Sequence, residues 1–328
     1  MNNYLFKGPF AEHIKNHIAL KQAIGYKYEI ETEQLTKFSA FAAKKYPDAT
    51  NLTKEIILDW CSRKSYETKS SQSLRASIIR QLTNYLVSIG MNAYILPKGF
   101  YPAERNYVPY IYTENDLRRF IYEVDKSKYS KISQCGRSVL PLFFRMVYAC
   151  GLRCSEARML KIEDVDMQSG VITILHSKND NSRLVCVSEK LREKCREYFD
   201  SVLKKLPGND YFFPRIAGKP MSKGYVYRNF RHFLWKAGIS HGGRGKGPRI
   251  HDFRHTFACH CLKKWVMQGK DLSAYFPVLK TYMGHNSFNE TAYYLRMTAD
   301  VFPDISISLN SCYPDIIPNP EGGVYETD

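Results

Sequence analysis

Five basic or imidazole residues suited to work on an anion stand where the sequence predicts that elements begin, end or turn, and a tyrosine follows the last of them. Arg153 lies in Tyr148-Ala-Cys-Gly-Leu-Arg-Cys-Ser-Glu156. A helix is expected to end at Gly151 and Ser155 to cap the next, which puts Arg153 at a helix–helix corner where its side chain can project into a cleft. Lys178 marks the tip of an expected hairpin. His251 and Arg254 are three residues apart at a helix start and so share a face. His285 follows Gly284 at a helix end, and Tyr294 comes nine residues later with Tyr293 beside it. Singly, each is ordinary: a lone arginine or a turn lysine is usually solvated, and tyrosine is common in a chain that holds 24 of them. Other chemistries have less to stand on. No GxxxxGK[ST] loop and no glycine-rich dinucleotide fingerprint occurs. His251, His255, His260, Cys259 and Cys261 cluster in sequence, but they lack a CxxC knuckle and fall on one continuous helix, which argues against zinc. Acids in the middle of the chain are few, so a two-metal nuclease has little to build on.

The elements that must position these residues can be read from periodicity and punctuation. The first hundred residues read as four helices: Phe10 to Tyr26 (apolar at Ile14, Ile18, Leu20, Ile24), Thr32 to Tyr46, a third capped by Thr53, and Ser70 to Ser88 with Leu74, Ile78, Leu82 and Leu86 on one face. Pro97, Gly99, Pro102 and Pro109 mark a linker. Thr113 with Asp116 opens a new helix in a weak capping box. Helices are expected over Glu114 to Val124, Ser138 to Cys150, Ser188 to Leu206, Ser222 to Ala237, Asp252 to Gln268 and Asp271 to Met283. Strands Val171–Leu175 and Leu184–Val187 form a hairpin. His241 to Pro248 is a glycine-rich basic loop.

Composition narrows the class. The chain has 328 residues, long enough for two domains, and 48 Lys and Arg against 32 Asp and Glu, a net charge of +16. That excess calls for a polyanion, and no dominant basic amphipathic helix points to lipid. Residues 1–112 carry a net +6, residues 113–296 a net +16, and the rest a net −6 with no basic side chain after Arg296. There is no apolar run long enough to cross a membrane and no secretory signal, and nine scattered cysteines read as free thiols in a reducing cytoplasm.

Taken jointly, GLRCSE around Arg153, the hairpin Lys178, HDFRHTFA from His251, MGH ending at His285 and the tyrosine nine residues on occur in one order. Over about residues 110–300 this resembles the catalytic domain of the tyrosine recombinases, the phage-integrase family, whose fold is shared with type IB topoisomerases. The resemblance implies a mainly α chain with a small antiparallel β element. It implies a helical, SAM-like core-binding domain over 1–108, an α+β catalytic domain over 109–300, and an acidic tail over 301–328 that exchanges between protomers, with a tail that folds back on its own domain or stays disordered as the alternative.

The implied chemistry exchanges a DNA phosphodiester for a 3′-phosphotyrosine ester and back, with no cofactor, metal or ATP. Arg153 and Arg254 would hold the phosphate oxygens bidentately, His285 would donate to them, Tyr294 would attack with His251 as base, and Lys178 would protonate the departing 5′-oxygen. Glu156 is read as holding the Arg153 corner together rather than touching DNA. Two positions keep rivals: Arg183 for Lys178, because the family's glycine is missing from His176-Ser-Lys-Asn-Asp, and Tyr293 for Tyr294. The implied partners are double-stranded DNA clamped by both domains, further copies in a synaptic homo-tetramer, and accessory DNA-bending proteins. Arg75, Arg80, Arg244, Lys246 and Arg249 are candidate DNA contacts. A topoisomerase-like relaxing enzyme and a non-catalytic DNA-binding protein of the same fold are the alternatives.

Overall fold

The computed structural model describes residues 4–103, 107–127, 139–175, 182–216, 218–243 and 247–302. Lys178, Arg244, Lys246 and the tail beyond residue 302 therefore lie outside the described residues. The chain divides into two compact units, Met1–Asn106 and Tyr107 onward, and no helix among the described residues is long and apolar enough to cross a membrane.

The first unit is four helices: α1 (Ala11–Ala23), α2 (Glu29–Lys45), α3 (Lys54–Cys61) and α4 (Lys69–Ser88). The Thr53 hydroxyl accepts from the Ile56 amide and Thr68 from the Ser71 amide, so each start satisfies an otherwise orphan donor. Phe10, Ile14, Leu35, Phe38, Ile57, Trp60, Ile79, Leu82 and Leu86 close the core.

Three expected core residues are instead exposed: Leu20, Ile24 and Leu74. Helix α1 stops at Ala23, leaving Ile24 as its C-cap, and it buries Ile14, His17 and Ile18. In α4 Ile78, Leu82 and Leu86 are buried as expected, joined by Gln72, Arg75 and Ile79, and Leu74 alone of the expected face turns out to solvent. Arg75 tolerates that inward position because its donors are met. It is 4 % exposed, pairs with Glu67 at 2.5 Å, donates to the Trp60 and Ser62 carbonyls and lies over the Trp60 ring. Its candidacy as a DNA contact is corrected accordingly, since a guanidinium spent on the core cannot read a groove.

The second unit begins with α5 (Glu114–Lys126), opened by a reciprocal capping box between Thr113 and Asp116. It continues with α6 (Val139–Ala149), α7 (Cys154–Met159), β1 (Val165–Asp166), β2 (Val171–Ile174), β3 (Arg183–Cys186), α8 (Glu189–Ser201) and a short 3-10 turn at Leu203–Lys205. Next come β4 (Pro214–Ile216), β5 (Lys219–Pro220), α9 (Lys223–Lys236), α10 (Asp252–Met267), α11 (Leu272–Met283) and α12 (Phe288–Val301). The sheet order is β1-β2-β3, antiparallel throughout, with Ile172 opposite Val185. Strands β1, β4 and β5 are not legible in the sequence because two or three residues show no alternation. The class is as expected, mainly helical with small antiparallel sheets.

An aromatic core sets the site's frame. Phe253, in the first turn of α10, packs against Phe120 of α5 at 5.1 Å and stacks on Tyr112 at 4.7 Å. Phe144 of α6 and Phe230 of α9 complete the cluster. With Phe253 locked inside, its neighbours His251 and Arg254 have fixed directions.

The first unit carries its own acid sensitivity. His17 is buried, shares a 3.0 Å hydrogen bond with the Tyr28 hydroxyl and packs on Tyr85. Burial, helped by the Lys21 charge, pushes its pKa down from 6.5 to about 4. The unfolded chain therefore takes up the proton first, so the stability of the neutral ring is full above 6.5 and is lost as the pH falls toward 4. Urea unfolding at pH 7.5 and pH 5 should show a loss on the order of 1–2 kcal/mol that is smaller in His17→Gln; equal losses in both proteins would count against it.

Candidate active site

Two helix ends and two helix starts meet in the second unit. Helix α6 runs out at Gly151, which adopts φ +58°, and the Leu152 amide returns to the Val147 carbonyl. A side chain at 151 would strike the Phe257 ring at 2.6 Å, so the turn requires glycine for space as well as for backbone conformation. Arg153 itself is the N-cap of α7; Ser155 lies inside that helix and cannot be its cap, a correction to the expected corner. Glu156, at the third position of α7, reaches back to accept from the Arg153 amide at 2.9 Å, the carboxylate half of a capping box.

The Arg153 side chain, 2 % exposed, donates to Glu156 Oε1 at 2.9 Å. Arg183, the first residue of β3, reaches the same carboxylate through both terminal nitrogens at 2.8 and 2.7 Å, while its Nε donates to the Tyr282 carbonyl. Burial works to raise the Glu156 pKa, but the Arg183 hydrogen bonds and the charges of Arg183, Arg254 and Arg153 outweigh it and hold the carboxyl below its ordinary range. Glu156 therefore holds the corner, as read from the sequence, and holds Arg183 as well.

Arg254 is fully buried on α10. It donates to the Gly151 carbonyl at 2.8 Å and to the Met283 carbonyl. These bonds use two of the five donors of a guanidinium and tie the end of α6 to the end of α11. Helix α11 closes on Gly284 in the left-handed conformation, φ +66°, which turns His285 inward. His285 Nδ1 and Thr291 Oγ1 on α12 share a 2.7 Å hydrogen bond. The His285 ring stacks on Tyr294 at 5.7 Å and 17°. Tyr294 is 1 % exposed, whereas Tyr293 is half-buried.

His251 caps α10 and is half-buried. Its ring meets His255 edge-on at 4.7 Å, and His255 in turn packs on Tyr294 at 5.4 Å and Tyr293 at 6.3 Å. His255, weighed in the sequence only as a metal ligand, is thus the imidazole between His251 and the tyrosines. The available signal was its place four residues after His251, on the same helix face. Among the described residues no group of three or more His, Cys, Asp or Glu side chains could hold a metal ion. Next to His251, Asp252 is buried and takes a hydrogen bond from the Tyr107 hydroxyl and from the Arg249 amide at 2.8 Å. Burial raises its pKa against those bonds. Arg249 is exposed with its guanidinium on the Tyr107 ring, at the rim of a cavity of about 640 Å³ that His251, His255 and Lys223 also line. Arg80, on α4, is half-exposed.

Arg153, Arg254, His285 and Tyr294, drawn from four stretches of sequence, thus form one connected cluster with His251 reaching it through His255. Guanidiniums, imidazoles and a phenol linked in this way are the side-chain types that holding and attacking a tetrahedral anion would need. The model of the phage integrase family matches residues 112–300, more than half of the chain, and the chain belongs to that family, the tyrosine recombinases, enzymes of site-specific DNA recombination. It is 26 % identical over 312 residues to y4rB of Sinorhizobium fredii, itself named only provisionally as an integrase/recombinase, covering 93 % of this chain and 98 % of that one. It is 29 % identical over 158 residues to the tyrosine recombinase XerD of Proteus mirabilis, covering 47 % and 46 %. Its fold is similar to a lambda integrase dimer bound to a core site (TM-score 0.61, 16 % identity, 86 % and 94 % covered) and to XerH recombinase bound to its difH substrate (TM-score 0.59, 20 % identity, 84 % and 78 % covered).

Glu156→Gln keeps the shape and removes the charge that Arg153 and Arg183 share, so urea unfolding at pH 7 should lose about 3–5 kcal/mol. A carboxyl depressed in the fold contributes fully above its unfolded value near 4.5 and less as the pH falls through the folded value. The gap between wild type and variant should therefore narrow below about pH 4.5; a gap that is absent at pH 7, or that widens in acid, contradicts the assignment.

Proposed function

We propose that this chain is a site-specific recombinase that breaks and rejoins double-stranded DNA through a covalent 3′-phosphotyrosine on Tyr294. The observation that carries the reading is that Arg254 ties together the turns carrying Arg153 and His285, while the His285 ring stacks on Tyr294. In this reading the Tyr294 oxygen attacks the scissile phosphorus, its proton passing to His251. The P–O bond to the 5′-oxygen breaks, and Lys178 supplies the proton that oxygen takes up. Arg153 and Arg254 hold the non-bridging oxygens, on which negative charge grows in the transition state. With His285 Nδ1 engaged by Thr291, Nε2 is the nitrogen that would serve the phosphate. One phosphodiester replaces another of similar energy, so neither ATP nor a metal is required, and reversal by a 5′-hydroxyl from a partner site completes exchange.

The Tyr294 ring is buried, with His285 and His255 against it. Cleavage therefore requires α12 to present the phenol once DNA is seated. Arg80, Arg249, Arg244 and Lys246 are proposed as phosphate contacts, which would make affinity salt-dependent. A homo-tetramer on paired sites, with residues 301–328 bridging protomers and bending proteins assisting, is the proposed assembly. The coverage of y4rB over nearly its whole length favours recombination over relaxation of supercoils.

The test uses duplexes that the protein itself selects from a randomised pool. With two such sites on one DNA the wild type should exchange strands and Tyr294→Phe should lose activity by at least about 10³-fold. Relaxation of a one-site plasmid without exchange between two sites would point to a topoisomerase-like enzyme, and wild-type activity in Tyr294→Phe would remove Tyr294 as nucleophile.

A further inference from the structure

We propose that Arg183 is a positioning residue for strand cleavage, coupling the Arg153 corner to the His285 corner; this rests on the strand-transfer reading above. In sequence Arg183 is the nearest rival to Lys178, a cation on the same hairpin. Its surroundings assign it elsewhere. The side chain is 5 % exposed, and each of its three nitrogens has a partner: two on the Glu156 carboxylate, at 2.8 and 2.7 Å, and Nε on the Tyr282 carbonyl, at 2.9 Å. A guanidinium held this way faces into the protein rather than toward DNA.

The groups it holds are more telling. Both Glu156 oxygens that receive Arg183 also receive Arg153, one from its amide and one from its side chain. Arg183 therefore sets where the carboxylate sits, and the carboxylate sets the Arg153 backbone and guanidinium together. On its other edge, Tyr282 is the residue before Met283, whose carbonyl receives Arg254. A Cβ at Gly284 would lie 3.1 Å from Arg183 Cδ, so the Arg183 stem runs beneath the turn that delivers His285. One side chain from β3 thus spans the two backbone turns that carry Arg153 and His285, and it adjoins a carbonyl that anchors Arg254. Lysine cannot replace it, since an ammonium is a point donor and cannot bridge a carboxylate fork and a carbonyl at once. Misplacement of reacting groups by about 1 Å, even from a distance, costs about 10²-fold in rate.

The test compares full-length wild type, Arg183→Lys and Arg183→Gln on a duplex selected by the protein and nicked so that cleavage traps the covalent adduct. Affinity is measured by gel shift, and adduct formation is followed at saturating protein. Both variants should form adduct about 10²-fold more slowly while Kd moves by no more than about threefold. Should Arg183→Gln fail to fold by circular dichroism, Arg183→Lys, which keeps the charge, decides. A Lys variant within about threefold of the wild-type rate, or a loss found wholly in Kd, overturns the proposal.

A second substrate carries sulfur in place of the bridging 5′-oxygen, a leaving group that departs without a proton. The defect should persist there, because Arg183 acts through the groups on the phosphate. Recovery to the wild-type rate would overturn the proposal and assign Arg183 to the leaving-group side. Failure of the wild type itself to form adduct would instead overturn the strand-transfer reading on which the proposal rests.

Discussion

The bonds from Arg254 to the carbonyls of Gly151 and Met283 are the interaction on which the site depends. A guanidinium with no exposed surface survives only if its donors are met, and the ends of two helices meet them. Because those carbonyls lie at the turns after which Arg153 and His285 project, the residue that would bind phosphate also sets the spacing of its two colleagues. Phe253, one residue earlier, anchors that arrangement in the aromatic core. Stability and chemistry therefore share one helix turn.

The second constraint is conformational. Gly151 and Gly284 both take left-handed backbone, and each is crossed closely by another side chain, Phe257 in one case and Arg183 in the other. These turns let α6 and α11 end abruptly and aim Arg153 and His285 into the same site. The Glu156 carboxylate then links the first turn to β3, so the Arg153 corner is stitched to the sheet, and Arg183 carries the stitch on to the end of α11.

Much of this is legible in the sequence. Helix spans come from periodicity, and the caps at Thr53 and Thr113 from residue type, because capping is a local interaction. The corner residues can be placed at element ends for the same reason. Direction is the part that cannot be read. Charge alone points outward, so Arg75 and Arg183 read as surface cations, whereas Glu67, Glu156 and backbone carbonyls supply them with buried partners that lie far off in sequence or on other elements. His255 is given no role by the sequence once zinc is set aside, because its partners, the tyrosines of α12, lie some forty residues on and no local pattern joins them. Leu20, Ile24 and Leu74 fall on faces that periodicity alone cannot separate from the buried one.

The account's central claim is that a cluster of buried cations delivers one particular phenol to a DNA phosphorus. Its most direct test is mass spectrometry of the protein–DNA adduct after digestion. Trypsin should release residues 281–296, which contain Tyr282, Tyr293 and Tyr294, and fragmentation within that peptide locates the nucleotide. The account predicts attachment at Tyr294 alone. A nucleotide on Tyr293 would move the nucleophile one residue away from the ring that His285 stacks on, and one on any side chain outside this peptide would contradict the account as a whole.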